Sequence, residues 1–520
     1  MGSACCIPKD SNKSLGDDLR AVSVHHLRAG FANAVLHAGL STGSRVYEVE
    51  PVVIRPKGKD VLCPRDNRLG AAYVDAVHGV NHVGIATHML SYSWGYTVES
   101  IVSALEAYCP ENDLSSCRRY VWICCLCVNQ HRVQERRALG QTVPFDEFKC
   151  CFSSHVSRIQ HVLCLMSSWE KPLYLTRIWC VFEMFIAFLD DGCKVTIIMP
   201  PEEEASLSKA MQGSSSSLMH VWHLLSSVAI EDASASVEVD REHILQLVEE
   251  GPGHAALSHE VSRHLQAWFS HTVIRHSYSM LAEPSCVTSA CNLTITASKM
   301  LTPMAKYDEA IQLITEALRI IATTGMQDTL LHARVSSEMG SLMRASKDYA
   351  GASEWTRKAL ALYDHLGMQD DIEYGEVCSA MGLIYHRQLD LPRALEHHAL
   401  AKKIFVSAGA LESDNGAKLL NRIGECKRAA LDLDGAANAF EEALALRKRL
   451  GLMECPPGAI LLSNLGQIRL QRKDSQGALA YFYEAKFIFQ RLGSLQTNKG
   501  KELELRILEA STVDFRKLQL

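Results

Sequence analysis

Residues 340–359 read GSLMRASKDYAGASEWTRKA, and the same skeleton returns at 382–401 as GLIYHRQLDLPRALEHHALA, at 424–443 as GECKRAALDLDGAANAFEEA and at 466–485 as GQIRLQRKDSQGALAYFYEA. Gly340, Gly382, Gly424 and Gly466 stand 42 residues apart, as do Ala352, Ala394, Ala436 and Ala478, and again Ala359, Ala401, Ala443 and Ala485. The register reaches back to Ala310 and Ala317, and Gly325, Gly367, Gly409, Gly451 and Gly493 close each unit at the same period. A fixed period of this length marks stacked units, each of which buries its apolar face only against its neighbours. Small residues at fixed helical positions let two antiparallel helices approach closely, and a glycine after the second helix supplies a left-handed cap. The pattern predicts five two-helix units over 286–495, the first lacking its glycine because Ser298 stands there, with 496–520 as a C-terminal tail.

This pattern resembles tetratricopeptide repeats of the long, kinesin-light-chain type. The resemblance implies an all-α solenoid whose first helices form a concave face that binds a protein or peptide partner. Three residues before each glycine come Ser337, Ser379, Asn421 and Ser463; four after it come Arg344, His386, Arg428 and Leu470. Small polar groups edged by cations suit an extended acidic peptide. The alternative is a solvated helix face with no ligand. A kinesin-light-chain-like cargo adaptor is a further reading, although such adaptors carry a heptad coiled coil before their repeats and none is apparent here.

The second informative stretch is Ser167 to Pro200, SSWEKPLYLTRIWCVFEMFIAFLDDGCKVTIIMP. Trp179 and Glu183 are four residues apart on an apolar helical run, so they share a face, and a carboxylate there is costly to bury without a partner or a purpose. Lys194–Met199 follows as a β-branched strand. Upstream, strands at Ala86–Tyr92, Tyr120–Val128 and Val162–Met166 alternate with helices at Val98–Tyr108 and Asp146–Val156, which predicts a parallel α/β sheet over 81–200. Ligands of such sheets bind outside the carboxyl ends of the strands, here 91–96, 129–133 and 167–169. Residues 1–80 read as an N-terminal extension, helical from Leu19 to Leu40, with a strand at Tyr47–Ile54 and a loop to Arg68. Residues 201–285 read as a linker, from Glu202-Glu203-Glu204 to Ser217, and a helical connector.

Trp179-Cys180-Val181-Phe182-Glu183 is similar to the Trp-Cys-x-x-Glu stretch of Toll/interleukin-1 receptor (TIR) domains. His88 to Gly95 is similar to the first strand and loop of that fold. Tyr120-Val121-Trp122-Ile123 with Cys127-Val128-Asn129-Gln130 is similar to the signature of heterokaryon-incompatibility domains, relatives of TIR, except that Cys124 stands where that signature has Asp. The resemblance implies a flavodoxin-like domain acting by TIR–TIR self-association or another signalling output. It also implies a second function, NAD glycohydrolase, with Glu183 as the catalytic carboxylate and Ser91, Tyr92, Trp94 and Trp179 binding the substrate. NAD enters only as a substrate, and no cofactor is expected. The loop Ser93 to Tyr96 lacks the Arg and acidic residues of plant TIR enzymes. The competing structural reading pairs Glu183 with Arg177 or Lys171.

At 520 residues, 47% hydrophobic and 22% charged, the chain has the composition of a soluble protein of about three domains. A net charge of -6 without long single-sign blocks leaves no electrostatic footprint for nucleic acid. Eighteen scattered cysteines in a long chain point to a reducing, cytoplasmic compartment. Met1-Gly2-Ser3-Ala4-Cys5-Cys6 resembles an N-myristoylation site at Gly2 beside palmitoylation candidates Cys5 and Cys6, which would place the chain on the cytoplasmic face of a membrane. Cys124, Cys127 and His131 could suggest zinc, but alternate residues of a buried strand face opposite ways, so no metal site is expected. The His259-Glu260…His264 spacing is one residue too long for a zincin helix, and no phosphate loop of the P-loop type occurs.

Overall fold

The computed structural model describes residues 19–109, 119–139, 145–213, 215–226, 228–235, 238–492, 495 and 497–518. Gly2, Cys5, Cys6 and Gly493 lie outside the described residues. The chain divides into two compact units, Met1–Ala210 with His223–Trp268 and Met211–Trp222 with Phe269–Leu520. Among the described residues no helix is long and apolar enough to cross a membrane.

The first unit is built on a six-stranded sheet. In chain order its strands are β1 (Arg20–Ser23), β2 (Val83–Ile85), β3 (His88–Ser91), β4 (Tyr120–Ile123), β5 (His161–Leu165) and β6 (Lys194–Ile198); in space they run β2-β1-β4-β3-β5-β6. Strands β4, β3, β5 and β6 are parallel; β3 and β4 are buried throughout and β5 at all but its first residue, as expected of strands covered on both faces, while β6 at the edge is buried only at Ile198. Helices α1 (Val98–Tyr108), α2 (Phe145–Ile159) and α3 (Ile178–Leu189) alternate with them. Thr97 caps α1 by accepting from the Ser100 amide. The crossover from β3 leads to β4 on one side, and the next leads to β5 on the other. The strand order therefore reverses between β3 and β5, the place where sheets of this kind open a crevice.

The sheet is mixed, not parallel throughout, because β1 pairs antiparallel with both β2 and β4. Its residues come from the segment expected to be a helical extension. Ala21 and Val22 are fully buried, but so short a run has no periodicity to read. Tyr47–Ile54 is helical rather than a strand: Val46–Val49 runs on into a π-helical stretch, Glu50–Ile54, that takes in Pro51. The strand expected over Tyr120–Val128 stops at Ile123 and passes into a helical turn, Cys124–Cys127. The acidic run expected to be linker belongs to a helix, Pro201–Gln212, with proline at its start and three glutamates in its first turn, where the helix dipole favours them.

The second unit is a tetratricopeptide-like solenoid of helix pairs. Their first and second helices are Val287–Leu301 with Tyr307–Thr323, Leu330–Ala345 with Tyr349–His365, Ile372–Arg387 with Leu391–Ser407, Asp414–Ala429 with Leu433–Arg449, and Pro456–Gln471 with Ser475–Arg491. The periodic glycines sit where the two helices of a pair touch. A Cβ at Gly424 would lie 2.5 Å from the Phe440 ring, and one at Gly466 2.5 Å from Phe482. Gly325, Gly367, Gly409 and Gly451 have φ of +73°, +68°, +65° and +67°, so they are the left-handed caps. The expected C-terminal tail is a helix, Asn498–Leu518, whose Leu503 and Ala510 join the core of Phe482, Ala485 and Ile488. It repeats the first-helix position of a sixth unit.

Candidate functional site

Two places gather polar groups that the cores do not absorb. The first lies at the carboxyl end of β3. Ser91, the last residue of that strand, is buried, and its hydroxyl donates to Glu183 Oε2 on α3 at 2.5 Å. The buried Tyr174 hydroxyl lies 2.6 Å from Ser91 Oγ on its other side. Tyr96 ties the neighbouring loops together, because its hydroxyl accepts from the amides of Ser167 at 3.3 Å and Tyr174 at 3.1 Å. Ser91 and Glu183 are thus brought together at the strand-order reversal by residues from three different segments.

Burial pushes the Glu183 carboxyl up to about 7 against the opposing hydrogen bond from Ser91. No ion pair to Glu183 forms among the described residues, so neither Arg177 nor Lys171 neutralises it there. A carboxyl poised near neutrality can take or give a proton, or present a charge when ionised. Trp94 and Trp179 are half-buried nearby in sequence, and the Trp94 indole donates to Cys124 Sγ at 3.4 Å. Tyr92 corrects the expectation of an open stacking surface. It is buried, with its hydroxyl accepting from Cys124 at 3.5 Å, so its ring presents no open face. Burial and the nearby Glu183 push the Cys124 thiol up to about 11, which makes it a poor nucleophile at neutral pH. Among the described residues no cluster of three or more His, Cys, Asp or Glu could hold a metal ion.

The second place is a cleft of about 540 Å³ on the concave side of the solenoid. Ser337, Arg344 and Ser379 line it as the spacing predicts, and so do Glu338, Glu376 and Arg422, which the spacing did not single out. Ser379 is buried and accepts from Arg422 Nη1 at 2.8 Å. Asn421 donates to Glu425 on its own helix and accepts from Asn464 on the next first helix, each at 3.0 Å, so Ser379 and Asn421, both expected to contact a ligand, instead bond between neighbouring first helices. His386 and Arg428 are absent from the cleft wall; His386 Nδ1 and Arg428 Nε are buried without hydrogen-bond partners among the described residues. The cationic edge is therefore Arg344 with Arg422, not Arg344 with His386 and Arg428. Counting from the glycine found the stripes three before and four after it, but the residue two before it also turns toward the cleft.

The guanidinium of the half-buried Arg344 has no hydrogen bond or ion pair among the described residues, and that of Arg422 has none to a carboxylate. Burial, with Arg387 nearby, holds the Arg344 guanidinium below the usual range. Burial and Arg344 itself lower Arg422 to about 10, so both remain charged at neutral pH. Elsewhere in the cleft, Arg334 is engaged by Glu373 through two bonds of 2.6 and 2.7 Å, with the Tyr363 hydroxyl adding a third to that carboxylate at 2.9 Å.

No protein-family profile and no curated protein matches the chain. Among solved structures, BtubC (BKLC) from P. vanneervenii is similar at 21% identity over 43% of this chain and 90% of that one, with a TM-score of 0.38. A putative kinesin light chain from Podosopora anserina with nearly identical TPR-like repeats is 13% identical over 38% of this chain and 92% of its own, with a TM-score of 0.32. The apo form of RapI is 14% identical over 52% and 96%, also at 0.32. With every one of these scores below 0.5, the assignment of the solenoid rests on its own helix pairing and glycine register. By those features the chain carries a tetratricopeptide-like helical-repeat array after an N-terminal unit built on a six-stranded mixed sheet.

Proposed function

We propose that the repeat array is a recognition scaffold that captures an acidic segment of a protein partner in its concave cleft. The observation that carries this reading is the pair Arg344 and Arg422, half-buried cations that line one cleft and meet no carboxylate ion pair among the described residues, with burial and Arg344 lowering the basicity of Arg422. Holding such charges out of water is unfavourable unless an incoming anion completes them. The assay is fluorescence anisotropy of a labelled Glu-rich decapeptide with the full chain, against a Gly-Ser control. Arg344→Gln with Arg422→Gln should weaken binding at least tenfold at an unchanged melting temperature. Equal binding by the double variant would move the ligand elsewhere. The N-terminal unit, TIR-like in its motifs, then provides self-association or another signalling output. Acylation at Gly2, Cys5 and Cys6 would hold the assembly at a cytoplasmic membrane face; membrane fractionation of Gly2→Ala beside the intact chain tests that part.

Glu183 favours a second reading, an NAD glycohydrolase governed by the repeats. Its carboxyl lies beside Ser91 at the strand-order reversal and has no ion-pair partner among the described residues. When ionised, it could stabilise an oxocarbenium ion as the nicotinamide bond breaks. Release of nicotinamide from NAD by the full chain, lost in Glu183→Gln, would support this reading. Equal release by both proteins would remove Glu183 from it.

A further inference from the structure

The cleft is not simply basic. Glu338 is almost fully buried on its wall, with the Ser298 hydroxyl donating to Oε1 at 2.7 Å, and burial holds its carboxyl above the usual range. Glu376 lines the same wall and accepts from Asn415 Nδ2 at 2.5 Å. Neither has a cation within ion-pair distance among the described residues. Lys299 also lines this side, and its charge reaches Glu338, Glu373 and Glu376 without pairing with any of them. Arg334 is already taken up by Glu373. The cleft therefore has three carboxylates, Glu338, Glu373 and Glu376, beside Lys299 and Arg334. The same cleft has Arg344, with the charges of Arg387 and Glu338 acting on it, and Arg422, with the charges of Glu425 and Glu376 acting on it. Groups of both signs share one cavity and feel each other's charge, yet among the described residues Glu338, Glu376, Arg344 and Arg422 close no ion pair.

We propose that the cleft selects a segment carrying both charges, with an anionic group between Arg344 and Arg422 and a cationic group against Glu338 and Glu376. This rests on the reading of the cleft as a peptide site and adds the chemistry of the second contact. Helix geometry sets the spacing. Arg344 follows Glu338 by six residues on one helix, an axial rise of about 9 Å. Measured from their glycines, Arg344 lies ten residues of rise beyond Glu376, about 15 Å. An extended chain advances about 3.3 Å per residue, so the two charges of the ligand should stand roughly three to five residues apart. A segment that is acidic throughout would leave the glutamates unpaired and bring like charge against them.

The test uses the full chain and labelled decapeptides on a Gly-Ser frame. One carries two glutamates, one two lysines, and two carry both pairs four residues apart, one in each order. The peptide with both charges in the productive order should bind at least tenfold more tightly than the Glu-only peptide. Glu338→Gln with Glu376→Gln should erase that advantage while leaving Glu-only binding unchanged or stronger. Arg344→Gln with Arg422→Gln should weaken both peptides. Thermal unfolding of each variant separates loss of the site from loss of the fold. Glu-only binding as tight as mixed-charge binding would overturn the two-charge proposal and leave the peptide site standing. Failure of all four peptides at millimolar concentration would remove the peptide reading itself.

Discussion

His398 occupies the position that faces the glycine of its own first helix, as Thr356, Phe440 and Phe482 do in the other units. It is fully buried, and neither ring nitrogen has a hydrogen-bond partner among the described residues. Burial, reinforced by Arg422, His386 and His397, pushes its pKa down to about 3. Each unsatisfied buried polar atom is worth about 1–3 kcal/mol of lost stability, and a larger six-membered ring returns about 1 kcal/mol of crowding. His398→Phe, which copies the neighbouring units, should therefore stabilise the array by about 2 kcal/mol at pH 7. The gain should depend on pH in a defined direction. Below about 6.5 the unfolded chain takes up a proton that the native ring refuses until about 3, so stability falls with pH at about 1.4 kcal/mol per unit. From pH 6.5 to 5 that is about 2 kcal/mol, lost by the original protein and not by the Phe variant, and the gap should widen to about 4 kcal/mol. Urea unfolding of the full chain followed by helical circular dichroism at pH 7 and pH 5 reads both numbers from the array's transition. A variant no more stable at pH 7, or a gap that stays constant between the two pH values, would refute the orphaned-ring account.

Glu183→Gln should also stabilise its unit, by up to about 3 kcal/mol at pH 8. The native carboxyl holds its proton to about 7 whereas the unfolded one loses it near 4.5, so the unfavourable ionisation is absent below 4.5 and complete above 7. Unfolding midpoints at pH 8 and pH 4 should differ accordingly, and equal shifts at both would show that the carboxyl is not desolvated. Any NAD cleavage that uses ionised Glu183 should rise with pH through about 7, as an initial-rate profile would show. Gly424→Val should destabilise the array by at least about 2 kcal/mol, because its Cβ alone would sit 2.5 Å from Phe440; a loss under half of that in a urea titration would mean the helices can separate without strain.

The solenoid was legible because packing leaves almost no choice at Gly340, Gly382, Gly424 and Gly466, and only a left-handed residue closes each unit. Other constraints of the same period went unread. Asp348, Asp390, Asp432 and Asp474 cap the second helices, accepting from Gly351, Arg393, Gly435 and Gly477 amides. Each follows a left-handed non-glycine, Lys347, Leu389, Leu431 or Lys473. Leu389 and Leu431 are 82% and 81% exposed, so a hydrophobicity count would have put them inside. In the N-terminal unit the β3, α1, α3 and β6 elements were readable from pattern. Strand β1 was not, because its place is set by pairing with β2 and β4 far along the chain. The same holds for the site: Glu183 stood out as a carboxylate on an apolar helix, but its contact with Ser91 spans 92 residues and exists only once the sheet is assembled.

One register thus performs two tasks on opposite sides of each first helix. The glycine face must stay bare so that the second helix can approach, and this fixes the frame from unit to unit. The face turned to the cleft has no such demand, and its residues differ. Two positions before the glycine the chain places Glu338, Ala380, Arg422 and Asn464 in successive units. Acidic, apolar, basic and amide groups follow one another at equivalent points on a scaffold that does not move to accommodate them. Charge order along the cleft is therefore a property of sequence alone. Exchanging Glu338 and Arg422 should reverse the preferred order of a mixed-charge peptide; because the exchange also removes the Ser298–Glu338 and Arg422–Ser379 hydrogen bonds, thermal unfolding checks that the array keeps its fold. If the exchanged protein kept the original preference, the order would have to come from the fixed helix ends and Arg344, and not from these two positions.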